Sequence, residues 1–162
     1  MTDILRMLFV ILLLTASLAA YFLVIGALFP KRVEKTQRAI HQFTARSFGV
    51  GFVNFLFFGV IAIVLFSVAE NASGFLKGIL TIPALVITGL LALLITFGLS
   101  SVVNELGARL FPEHTTWRRT LWGTVVLSFA CALPFVGWFL LLPYVSLVGI
   151  GAVIVGFFQR DT

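Results

Sequence analysis

Residues 120–159 carry no charged side chain, an unbroken run of forty residues. A helix rises ~1.5 Å per residue, so the run would extend roughly 60 Å, twice the ~30 Å hydrocarbon core of a bilayer. One span cannot absorb that length. Within Leu133-Pro134-Phe135-Val136-Gly137-Trp138, Pro134 and Gly137 are residues that stop a helix and reverse a chain. Two apolar helices joined by a turn are therefore expected.

Composition points the same way. Hydrophobic residues make up 60% of the chain and charged residues 10%, against roughly 45–50% and 25% in soluble domains, and the mean hydropathy is +1.15. A soluble fold of 162 residues has too little interior to hide that surface. The single Cys131 lies in an apolar run, which leaves no intrachain disulfide and reads as a small packing residue. The net charge of +5 resides in short segments between apolar runs, where membrane orientation accounts for it; no aromatic-basic motif suggests nucleic acid.

Charge-to-charge distances place the spans. Residues 7–30, 47–69 and 78–104 are free of Asp, Glu, Lys and Arg. With the long run divided at its turn, the sequence predicts an all-α integral membrane helical bundle of about five transmembrane helices, at 7–29, 47–69, 83–104, 117–133 and 138–158. The third is expected to begin at Pro83, because proline suits a first helical turn, with 78–82 an irregular approach. Arg6 before an apolar stretch and Ser17-Leu18-Ala19 resemble a secretion signal, but apolar sequence continues to Phe29, so an uncleaved span is preferred.

Basic residues orient the spans. With the N-terminus outside and the C-terminus inside, Lys31, Arg32, Lys35, Arg38, Arg46, Arg109, Arg118, Arg119 and Arg160 face the cytoplasm, and Arg6 and Lys77 lie outside. The alternatives are four spans, with 120–159 one tilted helix, or a re-entrant hairpin over 120–142. The cytoplasmic segment 31–46 has its own helical pattern: Lys31, Lys35, Arg38, Gln42 and Arg46 share one face, and Val33, Ile40 and Phe43 lie opposite. Such a helix can lie on the inner leaflet, with Lys31, Lys35, Arg38 and Arg46 contacting acidic lipid; the plainer reading is that these charges only fix topology. Glu34 and Arg38 form an i,i+4 pair.

No catalytic pattern emerges. His41 and His114 fall in different loops, and the sequence holds no phosphate-binding glycine loop, nucleophile elbow or HExxH. Every Asp, Glu, Lys and Arg lies at an expected boundary or loop, which argues against proton-coupled transport and chemistry within the bilayer. No enzyme activity, cofactor or metal is expected. Asn54, Thr96, Ser100 and Asn104 are the polar residues expected to make interhelical contacts, with Ser101 beside the stripe and Glu105 continuing it. Small residues mark packing seams at Ala16 and Ala20, at Gly51 and Gly59, and at Ala152 and Gly156.

Phe29-Pro30-Lys31-Arg32-Val33-Glu34-Lys35, Arg46-Ser47-Phe48-Gly49-Val50-Gly51, Leu133-Pro134-Phe135-Val136-Gly137-Trp138, Gly149-Ile150-Gly151-Ala152 and Phe158-Gln159-Arg160 form a set. It resembles the multi-pass membrane segment found next to polymer-forming, bactofilin-like cytoskeletal domains of bacteria and archaea. The Gly- and Val-rich β-helical repeat of that architecture is not in this sequence. The resemblance implies a membrane anchor or scaffold module and carries no catalytic residue. The expected function is a non-enzymatic scaffold, anchor or accessory subunit of a larger assembly in the prokaryotic inner membrane. Its expected partners are the lipid bilayer, including acidic lipids, and other membrane subunits or further copies of itself. The alternative is a small oligomeric channel or transporter, with Asn54 and the 96–104 stripe along a polar path.

Overall fold

A computed structural model describes residues 2–133 and 135–158, without the side chains of Thr2 and Asp3. Among them every regular element is a helix: α1 (Thr2–Leu28), α2 (Pro30–Asn71), α3 (Phe75–Leu110), α4 (Thr116–Ala132), a π-helical segment (Val136–Leu141) and α5 (Leu142–Phe158). Four stretches are long and apolar enough to cross a membrane: Ile4–Leu28, Pro30–Asn71, Phe75–Leu110 and Val136–Phe158. The expected span at 117–133 coincides with α4, whose 17 residues leave it outside that set. Pro134, expected to stop that helix, and Gln159, Arg160 and the orientation they bear on lie outside the described residues.

Phe29 alone separates α1 from α2. Its N–H donates to the Ile25 carbonyl at 2.9 Å, and its own carbonyl accepts from Arg32 and Val33, each at 3.1 Å. Pro30 then opens α2, where its missing N–H has no intrahelical partner to lose. At 42 residues α2 runs about 63 Å and departs from helical geometry once, at Phe43 (φ −139°, ψ 47°). The break separates the basic stretch, residues 30–42, from the apolar stretch that follows.

Gly74, at φ +61°, turns the chain from α2 into α3, in a conformation that side chains with a Cβ disfavour. The third helix begins at Phe75 and not at Pro83, which lies inside it, so 78–82 is helical rather than irregular. Proline is tolerated there because it removes a single backbone bond, and its exposed side chain faces away from the packed interior. The π-helical widening ends directly before Leu142-Pro143. A proline ring clashes with the carbonyl four residues back in an α-helix, and the wider turn relieves that conflict.

Two apolar clusters form the core. Phe22, Val103, Leu127 and Val145 join α1, α3, α4 and α5, with Cys131 packed alongside. Ala39, Ile40, Val148 and Ala152 join the basic stretch of α2 to α5. The apolar face of residues 30–42 is therefore taken up by protein, with Val33 and Ile40 buried, while Phe43 is 41% exposed. The segment docks on the bundle through Val33 and Ile40.

Close helix pairs fix how far α4 and α5 reach. On α3, Gly107 faces Arg119 and Val103 faces Gly123, so α3 and α4 are antiparallel. Ala132, the last residue of α4, lies nine residues past Gly123, which brings it level with about residue 94 of α3. Gly149 meets Gly98, and stepping back from it to Val136 reaches about the level of residue 85 at most. The turn between α4 and α5 thus stops roughly 15–28 Å short of the α2–α3 loop.

Candidate functional site

The sequence left one acid at the end of an expected span, and the structure encloses it. Glu105 is only 6% exposed. Its Oε2 accepts a hydrogen bond from Gln37 Nε2 at 3.1 Å, across 68 positions of sequence, and its Oε1 lies 2.6 Å from Arg109 Nε one turn further along α3. Glu105 keeps the boundary position that the sequence gives it, yet it is enclosed by protein. Residues 30–42 fold over the end of α3, so a position at the edge of the apolar run is interior to the protein. A buried carboxylate needs such partners, since removing one leaves a charge that water no longer solvates.

A second layer lies one residue away. Asn104 Nδ2 donates to the Ser100 carbonyl at 2.9 Å, and its Oδ1 accepts from Thr120 Oγ1 of α4 at 2.5 Å. The Thr120 hydroxyl also lies 3.1 Å from the Thr116 carbonyl, its local alternative. Thr124, on the same face of α4, returns its proton to the Thr120 carbonyl at 2.7 Å. Ser47 and Ser100 are fully buried with hydroxyls that find no partner among the described residues. Each such group costs on the order of 1–3 kcal/mol.

The expected interhelical polar residues divide accordingly. Asn104 bridges α3 and α4, and Thr96 receives the Tyr21 hydroxyl of α1 at 3.4 Å. Ser100 contributes its carbonyl to Asn104. Asn54 donates to Val50 of its own helix at 2.8 Å, so its amide is satisfied locally. A mid-helix Asn can reach back one turn, and Asn54 does so.

The small-residue seams divide too. A Cβ added to Gly51 would sit 1.8 Å from the Leu147 carbonyl oxygen, and one on Gly151 1.7 Å from that of Ser47. Gly51, Ala152 and Gly156 are buried in this α2–α5 seam. Ala16 and Ala20 instead face outward, because α1 buries Thr15, Ala19, Phe22 and Ile25, one helical face round. Gly59 has open space where a side chain would be. Sequence reasoning missed Gly98, Gly107, Gly123, Gly149 and Gly151 as contact points. The signal available was Gly149-Ile150-Gly151 beside Ala152, which presents small residues to two neighbours at once.

Of the basic residues, Arg38 pairs with Glu34 at 2.7 Å on an exposed face, worth a few tenths of a kcal/mol. Lys31 and Arg46 are exposed, and Lys35 is half-buried where its backbone passes 3.5 Å from a Cβ built on Gly156. Among the described residues no three His, Cys, Asp or Glu converge. Compared with protein-family models, curated proteins and solved structures, the chain matches none.

Proposed function

We propose that this chain is a non-enzymatic scaffold, anchor or accessory subunit of a prokaryotic inner-membrane assembly, and that α1 is the helix it offers to a neighbour. One observation carries the reading: α1 is packed on one side only. Residues 4–10 and 12–14 are all exposed, and so are Ala16, Ser17 and Ala20, which form a small-residue face suited to close approach by another helix. The resemblance to membrane segments beside bactofilin-like domains favours an anchoring role. The channel alternative has less behind it, because Asn54 is spent on a bond within its own helix and Thr96 and Asn104 on pairwise bonds to neighbouring helices.

Cysteine at Ala20, in a Cys131→Ala background, tests this in native membranes. A crosslinked species containing a second copy or another membrane subunit is expected. A monomer alone, with a clean monomer in mild detergent, sinks the proposal.

Within this reading the N-terminus lies outside and the C-terminus inside, and α4 with α5 forms a hairpin that enters from the cytoplasmic side and turns within the bilayer. Three features support that depth. The turn stops well short of the α2–α3 loop; Phe135, Trp138 and Phe139 at its tip are 78%, 69% and 80% exposed; and two of its backbone groups are paired within it, Gly137 N–H to the Leu133 carbonyl and Phe139 N–H to the Phe135 carbonyl, each at 3.0 Å. Irregular backbone persists in hydrocarbon only when its polar groups have partners.

A further inference from the structure

Beside the break in α2 at Phe43, an open groove of about 430 Å³ lies between α2 and the last turns of α5, lined by Phe43, Arg46, Val50, Ile154, Val155 and Phe158. That volume lies within the roughly 300–1,000 Å³ of small-molecule sites. Five of the six lining residues are apolar, and the sixth is an exposed arginine. No acid lines the groove. A second guanidinium borders the same end of α5: Arg32 stands 5.2 Å from the centre of the Phe157 ring, one residue before Phe158.

An apolar trough headed by a guanidinium matches one kind of molecule in this setting. Its occupant must have hydrocarbon to cover Phe43, Val50, Ile154, Val155 and Phe158, and an anion to meet Arg46. Guanidinium binds phosphate through paired hydrogen bonds, and basic pockets between membrane helices hold anionic lipid headgroups. We propose that this groove binds one anionic phospholipid, with its phosphate at Arg46 and an acyl chain along Phe43, Ile154 and Phe158. The site is distinct from a helix resting on the leaflet, because it is built by two helices and depends on the break at Phe43.

Native mass spectrometry of the full-length, delipidated protein tests it, using phosphatidylglycerol and phosphatidylcholine with identical chains. One phosphatidylglycerol is expected to be retained over phosphatidylcholine. Arg46→Gln should lower that retention about five-fold, the equivalent of one basic contact near an anionic surface. Ile154→Trp, which fills the trough, should lower retention of both lipids, while Arg6→Gln should change neither. Millimolar inorganic phosphate should leave the lipid in place. Photoactivatable phosphatidylglycerol on the unaltered protein supplies a readout free of folding effects, and crosslinks are expected on peptides containing Phe43 or Ile154. Equal retention of the two lipids, full retention in Arg46→Gln, displacement by phosphate, or crosslinks confined to other helices overturns the proposal. So does a dimer that Arg46→Gln dissociates with no lipid retained, since a second copy would then fill the groove.

Discussion

Gly98 and Gly149 meet main chain to main chain. A Cβ on Gly98 would fall 2.4 Å from the Gly149 carbonyl carbon, and one on Gly149 would fall 2.7 Å from that of Gly98. With no water to drive helices together in lipid, such close backbone approach supplies the dispersion contacts that hold them. Gly149→Ala should therefore destabilise the bundle by about 1–3 kcal/mol, the usual cost of overpacking. Gly49→Ala, at an open position of α2, should be neutral or stabilising by roughly 0.5–1 kcal/mol. Unfolding midpoints in mild detergent check the pair, and equal loss in both variants would refute the seam.

Glu105 and Gln37 tie the basic stretch of α2 to α3. Gln37→Leu removes one buried partner of the acid and should cost on the order of 1–3 kcal/mol. The effect should be local: hydrogen exchange should quicken in residues 30–42 and stay unchanged in 75–95. Uniform acceleration along the whole chain would show that the bond is no local latch.

Thr120 and Asn104 lend themselves to a double-mutant cycle. Thr120→Val strands the Asn104 carbonyl oxygen, whereas Asn104→Leu leaves the Thr120 hydroxyl its local acceptor at Thr116. Thr120→Val should thus be the costlier change, with a coupling energy of about 0.6 kcal/mol and at most about 1.7 kcal/mol, the mean and the upper value for such bonds between membrane helices. A coupling energy near zero would mean that the contact contributes nothing.

Single cysteines in a Cys131→Ala background test the depth of the α4–α5 hairpin with an impermeant thiol reagent outside whole cells. Ser73 should react and Gln37 should be protected. A cysteine at Val136 should resist the reagent in whole cells and in inverted vesicles alike. Reaction at Val136 from outside would restore a five-span topology.

What the sequence made legible follows from the range of each force. Helices, the break at Phe29 and the Glu34–Arg38 pair depend on neighbours within a few residues, and local patterning exposed them. Pro83 misled because proline is tolerated within a helix that does not depend on that one bond. The outward turn of Ala16 and Ala20 and the inward turn of Gly98 and Gly149 depend on which face meets a partner, and small residues look alike on both. Glu105 was the least legible, since its enclosure depends on Gln37, from a segment whose charges marked it as surface.

The single-residue joint at Phe29 also governs how motion can pass through the molecule. Two torsions are all that lie between α1 and the basic stretch of α2, and hydrogen bonds on both sides hold the flanking turns rigid. Any reorientation of α1 relative to the basic stretch of α2 is therefore concentrated in those two torsions. The outward-facing helix and the segment that encloses Glu105 thus lie on either side of a single pivot at Phe29.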